Sequence, residues 1–222
     1  EELQEQLAEI GGEEMSIRAM RDGKTVQVTA QAVKCSTDGT YKLGAWLRDS
    51  MAGIGTVTYY DPDTGAFGAL GHGVNDIDTA QLMPLERGGV LSASVTDVKK
   101  GKKGEPGELH GVFDTEGEDI GTLTANTSHG IFGTLTTGEL TAMEPVEVAE
   151  AEQVKTGKAI IYSNVSGEEV RAYEVEITKL FPHAEDGRDM MVKVTDPALL
   201  EATGGIVQGM SGSPILQDGR LV

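Results

Sequence analysis

Apolar residues open the chain at helical spacing. In "EELQEQLAEI" Leu3, Leu7 and Ile10 recur every three or four positions, and Gly11 and Gly12 follow them. That period predicts a short amphipathic helix stopped by glycine. The period then drops to two: "MSIRAMRDGKTVQVTAQAV" carries two alternating runs around Asp22-Gly23, the strongest local signal for a tight hairpin. A helix and one hairpin cannot bury a core of their own. Residues 1–33 therefore read as the closing part of a module whose front lies outside this chain.

Short alternating runs dominate the remainder. "TVTYY" and "AFGAL" flank the turn "DPDTG", and the second run delivers His72 between two glycines. "GVLSASVTDV" and "ELHGVF" flank the polar loop "KKGKKGEPG". "GTLT" occurs at 121 and again at 133, around "ANTSHGIF", which predicts two neighbouring strands with shared turn chemistry and is too short for a duplicated fold. In "KAIIYSNVSGEEVRAYEVEITKLF", Tyr173, Val175 and Ile177 alternate with Glu174, Glu176 and Thr178, a strand with one dry and one wet face. After "MMVKV", the stretch "TDPALLEATGG" reads as a helical turn capped by Asp196, begun by Pro197 and closed by glycine. Many short strands with minor helices predict a mainly β protein of Greek-key barrels or sandwiches.

Composition supports this. Glycine occupies 30 of the 222 positions, about twice its usual share, and strand-forming Val, Ile, Thr and Tyr fill the runs between. The formal net charge of −18 is spread along the chain, which argues against nucleic acid as a partner. Cys35 is the single cysteine, so neither an internal disulfide nor a cysteine metal site can form, and the residue is expected as a small buried hydrophobe. No stretch is long and apolar enough to span a membrane.

Four glycines fall in "GGIVQGMSGSPIL", the stretch that surrounds Ser211. A serine is a poor nucleophile at neutral pH unless a base takes its proton and fixed donors hold the oxyanion that forms. Glycines beside it permit the sharp bend that can aim the amides of Gly209 and Ser211 at one oxygen. Taken alone, the hexapeptide is explained slightly better by an ordinary Gly-Ser turn, since short glycine patterns recur by chance. Of the four histidines, His72 stands out, just after a strand and between residues without side chains. His110, His129 and His183 sit in a strand, a polar cluster and a loop, where structural roles suffice. For the carboxylate that would orient the imidazole, Asp76, Asp78, Asp97 and Asp196 all remain open, and Asp196 is also typed to cap the helix at Pro197.

These stretches, "GIGTVTYYDPDTGAFGALGHGV", "VTDPALLEATGGIVQGMSGSPI" and "NTSHGIFG" above all, resemble the SpoIVB peptidase family, serine endopeptidases of spore-forming bacteria. The resemblance implies a chymotrypsin-like double β-barrel over residues 34–222, with its two halves meeting near 140–155. It implies His72 as general base, Asp196 as orienting acid and Ser211 as nucleophile, and it implies no cofactor. Residues 1–33 resemble the end of a PDZ domain. The resemblance further implies regulatory, membrane-associated protein substrates, self-cleavage, and action outside the cytoplasm, between mother cell and forespore, with membrane attachment only through segments absent here. The chain stops at Val222 just after the turn "QDGR", which leaves the last barrel strand outside it and an edge open. Two other readings compete: a non-catalytic barrel that binds a peptide or partner, and an acyl hydrolase of small esters. The latter is weakened because the Gly-x-Ser-x-Gly elbow is missing.

Overall fold

The computed structural model describes residues 2–21, 23–45, 47, 51–117, 119–136, 144–182, 184 and 187–222. They fall into two compact units, Glu1–Ala52 and Gly53–Val222. In the first, helix α1 (Glu2–Ile10) buries Leu7 and closes where the Gly11 amide donates to the Leu7 carbonyl. Strands β1 (Glu14–Arg21) and β2 (Lys24–Gln31) pair from Glu14↔Gln31 to Arg21↔Lys24, the register that the Asp-Gly signal predicts. Short strands β3 (Val33–Lys34) and β4 (Tyr41–Lys42) complete the unit. Cys35, expected as buried, is only half-buried. The amides of Thr37 and Asp38 hold its thiol below the usual range.

The second unit is mainly β and chymotrypsin-like, built on two five-stranded antiparallel sheets. Strands β5 (Val57–Tyr60), β6 (Ala66–Ala69) and β7 (Gly89–Val90) open it, followed by the hairpin of β8 (Ala93–Lys99) and β9 (Glu108–Phe113). Strands β10 (Gly121–Thr127) and β11 (Gly130–Leu135) then complete the first sheet, in the order β5-β6-β11-β10-β7. The two "GTLT" segments face each other there, with Thr122 opposite Thr134. The second sheet contains β12 (Gly157–Asn164), β13 (Val170–Leu180), β14 (Met190–Val194), β15 (Ile215–Gln217) and β16 (Arg220–Leu221), in the order β14-β13-β12-β15-β16.

Strand β16 modifies the expectation of an open edge. A returning strand is present: Arg220 pairs with Gln217 across a turn in which Asp218 and Gly219 both have positive φ. That is the requirement of a two-residue hairpin turn. Leu221 also bonds the backbone of Glu147 and Ala149.

Alternation places the cores. Tyr173, Val175 and Ile177 turn inward from β13 and meet Ala159 and Ile161 of β12, Val194, and Leu199 of helix α2 (Pro197–Thr203). Ile177 and Leu199 are wholly buried, as are Val207 and Met210 to within a few per cent. The first sheet has a smaller core around Phe67, Ala69 and Leu135.

Candidate active site

Two tight turns shape the segment around Ser211. The Met210 amide donates to the Val207 carbonyl at 3.2 Å, and the Ser213 amide to the Met210 carbonyl at 3.1 Å. The third residue of each turn is glycine with positive φ, Gly209 at +95° and Gly212 at +86°. A four-residue turn with positive φ in that position requires glycine, which accounts for both. Ser211 lies between them. Met210, 4% exposed, pins the segment into the large core. Among the described residues, no partner takes the amides of Gly209 or Ser211.

Gly212 has a second constraint. A Cβ there would lie 2.3 Å from the Thr56 carbonyl oxygen and 2.6 Å from the Leu70 nitrogen. The serine turn of the second sheet thus presses against backbone of the first, and the Thr56 amide donates to the Ser211 carbonyl at 3.0 Å.

The first sheet delivers His72 from the end of β6 through a strained bend. Leu70 has a φ of +70°, and the Gly71 amide reaches back to the Ala69 carbonyl at 3.0 Å, closing a three-residue turn about Leu70. A branched residue held in that region costs about 1–3 kcal/mol and persists only where its surroundings over-determine it. The bend carries His72 out of the sheet toward the serine turn. His72 Nε2 lies 3.0 Å from Ser211 Oγ, across 139 residues of sequence.

The other ring nitrogen fixes the tautomer. His72 Nδ1 lies 2.9 Å from the carbonyl oxygen of Gly73, and a carbonyl only accepts. Nδ1 therefore carries the proton in the neutral ring, and Nε2 is left to accept from the serine hydroxyl. That is the direction of proton transfer that activates a hydroxyl nucleophile.

Asp196, the acid implied by resemblance, is placed otherwise. Its Oδ1 accepts from the amides of Ala198 at 2.8 Å and Leu199 at 3.1 Å, and its Oδ2 from the amide of Glu174 at 3.3 Å. It is the N-cap of α2, a role the sequence also announced. The Leu199 amide is the main cause that holds its carboxyl below the ordinary range, helped by Glu174 and Ala198 against desolvation. Among the described residues, no hydrogen bond or ion pair joins Asp196 to His72; the structure brings together two of the three expected side chains. Asp76 spends Oδ1 on Asp78 and Thr79 in its own turn. Asp97 lies in β8, in register with His110. His110 sits 3.9 Å from Glu108, His129 bonds Ser128, and His183 lies outside the described residues.

A cavity of about 360 Å³ flanks Gly209, lined by Ile54, Glu108, Leu109, His110, Phe113 and Gln208 among others. A larger one, of about 540 Å³, lies on the second sheet between Lys158, Glu174 and Asp218, and neither Ser211 nor His72 lines it. Among the described residues, no three His, Cys, Asp or Glu side chains converge as a metal ion would need.

Sequence reasoning missed Leu70 and Asn126, and read Gly73 only as a neighbour of His72 without a side chain. Asn126 had one signal: an uncharged polar residue inside the "ANTSHGIF" cluster, where a strand had no evident use for it.

Fold and geometry together define a chymotrypsin-like β protein that offers an imidazole to a hydroxyl, the class in which acyl-transfer hydrolases occur. The model of the SpoIVB peptidase S55 family matches residues 39–222, and the chain belongs to that family of peptidases. No curated protein and no solved structure matches the chain.

Proposed function

We propose that the protein is a serine endopeptidase in which Ser211 is the nucleophile and His72 the general base. One observation carries the reading: the 3.0 Å approach of His72 Nε2 to Ser211 Oγ, in the tautomer able to accept the hydroxyl proton. As Oγ attacks a peptide carbonyl, its proton passes to Nε2. The developing oxyanion is received by the Gly209 and Ser211 amides, which have no other partner among the described residues. The imidazolium then gives the proton to the leaving amine, and water repeats the sequence on the acyl-enzyme.

The proposal extends, by resemblance to the family, to regulatory proteins as the substrates, with self-cleavage among the reactions, in spore formation and outside the cytoplasm. On the same reading residues 1–33 close a PDZ-like module that would hold an extended peptide by strand addition. Asp196 contributes by seating α2, which leads directly into the serine turn.

A fluorophosphonate probe tests the assignment. It is expected to label the wild-type chain at Ser211, with labelling abolished by Ser211→Ala and slowed by at least about a thousandfold by His72→Ala. Label retained in Ser211→Ala would place the nucleophile elsewhere.

A further inference from the structure

The polar stretch "KKGKKGEPG", between β8 and β9, holds positive charge in a fixed place. Lys99, Lys100, Lys102 and Lys103 are all exposed, and among the described residues no ion pair or side-chain hydrogen bond takes any of them. Four of the chain's 18 basic side chains thus stand together in a protein of net charge −18. Two carboxylates lie near. Glu105 shares the loop, and Glu108, in register with Lys99, lies 3.9 Å from His110 instead. Residues 99–105 keep a positive surplus, four lysines against one glutamate.

The backbone beneath them is tied down at both ends. At the tip Lys102 and Glu105 exchange both amide hydrogen bonds at 2.9 Å, around Gly104 at a φ of +84°. Positive φ in the third position of so tight a turn is glycine's place. At the root the Gly101 amide donates to the carbonyl of Thr203, the last residue of α2, at 2.8 Å. Gly107 is buried: a Cβ there would lie 2.5 Å from the Lys99 carbonyl oxygen and 2.6 Å from Val207 Cγ1. The hairpin also binds the serine segment, since the Gln208 amide donates to the Gly107 carbonyl at 2.9 Å and the Leu109 amide to the Gln208 carbonyl at 2.8 Å. Gln208 directly precedes Gly209.

We propose that this lysine hairpin is a docking site for an acidic stretch of the polypeptide substrate, apart from the bond that is cut. The inference rests on the reading of Ser211 as nucleophile. Complementary charge across an exposed contact mainly raises the rate of encounter and fixes register. Reach sets the spacing. Lys103 stands four residues from Gly107, at most about 14 Å of chain, so an extended substrate at about 3.3 Å per residue covers the path from Gly209 to the lysines in about five to seven residues. Range decides the class of partner. Exposed charges are felt over about 8 Å at physiological salt, so a short acidic segment meets the lysines alone, whereas an anionic membrane surface also meets the acidic remainder of the chain.

Peptide binding tests the site without catalysis. A fluorescein-labelled peptide of about twelve residues, glutamate alternating with glycine, is added to the full chain carrying Ser211→Ala. It is expected to bind at least about tenfold tighter than its glutamine counterpart in dilute buffer, and to lose most of that preference at about 0.5 M salt. Replacing Lys99, Lys100, Lys102 and Lys103 together by glutamine should abolish the preference, and replacing them by arginine should keep it. With Ser211 intact, the glutamine variant should take the fluorophosphonate label within about twofold of the wild-type rate, because so small a probe does not reach the hairpin.

Equal affinity for the two peptides, or a preference that survives in the glutamine variant, would overturn the proposal. Lysine-dependent binding to vesicles containing about 30% phosphatidylserine, with no preference between the peptides, would overturn it too and assign the hairpin to a membrane. If the fourfold variant fails to fold, Lys102→Gln with Lys103→Gln, confined to the tip, takes its place and should lose most of the preference. If wild-type chain takes no fluorophosphonate label, the peptidase reading fails, while the peptide comparison still decides what the hairpin binds.

Discussion

The two sheets of the second unit hold their halves of the site by different means. Around Ser211 the anchor is hydrophobic: Val207 and Met210 enter a core shared with Val175, Ile177 and Leu199, all but sealed from water. Around His72 the core is small, formed by Phe67, Ala69 and Leu135, and the loop is held instead by the Asn126 amide, a strained Leu70 and a glycine contact. Hydrophobic packing is non-directional and spreads its stabilisation over many atoms. Hydrogen bonds and close backbone contacts are directional, each adding only about 0.5–1.5 kcal/mol of net stability while fixing an angle. The serine side is therefore the stable half and the histidine side the aimed half.

Substitutions at the seam and within each half should break that contrast in order of size. Gly212→Ala drives a Cβ against the Thr56 oxygen, so it separates the two halves where they touch. It is expected to cut fluorophosphonate labelling by about 100-fold or more, with a much smaller proportional loss in melting temperature. Labelling near the wild-type rate would show that the seam does not set the geometry.

Leu199→Ala should behave in the opposite way. A fully buried leucine removed from the large core costs about 2–5 kcal/mol, read by denaturant titration, while the rate per labelled, folded molecule stays within about twofold. A rate loss without a stability loss would contradict the division of labour between the sheets.

The smallest effects belong to Asp196. Replacing its capping oxygen by Asp196→Ala should cost about 1 kcal/mol, and Asp196→Asn, which keeps a capping acceptor, only a few tenths. Turnover in Asp196→Asn is expected within about threefold of wild type. A carboxylate that oriented His72 would lose about four orders of magnitude on the same change, so one assay separates the two roles. The pH dependence has a definite sign. Because the folded carboxyl titrates below the ordinary range, its contribution is complete above about pH 4 and is lost as pH falls through its own lower value. The gap in stability between wild type and Asp196→Asn should accordingly close under acid.

Much of this was legible in the chain. Period-two alternation identified β13 and its buried face, Asp-Gly identified the first hairpin, and Asp196-Pro197 identified α2 with its cap. Each is a local signal, in which a residue's own conformational preference and its nearest neighbours suffice. The serine turn was also legible, because Gly209 and Gly212 are demanded by turns only four residues long. The roles of Asn126 and Gly73 were hidden. They depend on a strand meeting a loop 52 positions away.

The order of strands, the glycine turns and the residue types able to do chemistry are properties of the sequence itself, set by sterics and hydrophobic period over a few residues. The tertiary structure alone decided which groups meet the imidazole: Ser211 Oγ at Nε2 and the Gly73 carbonyl at Nδ1. A hydrogen bond between side chain and backbone leaves no periodic trace along a chain, because its partners are chosen by where the sheets come to rest.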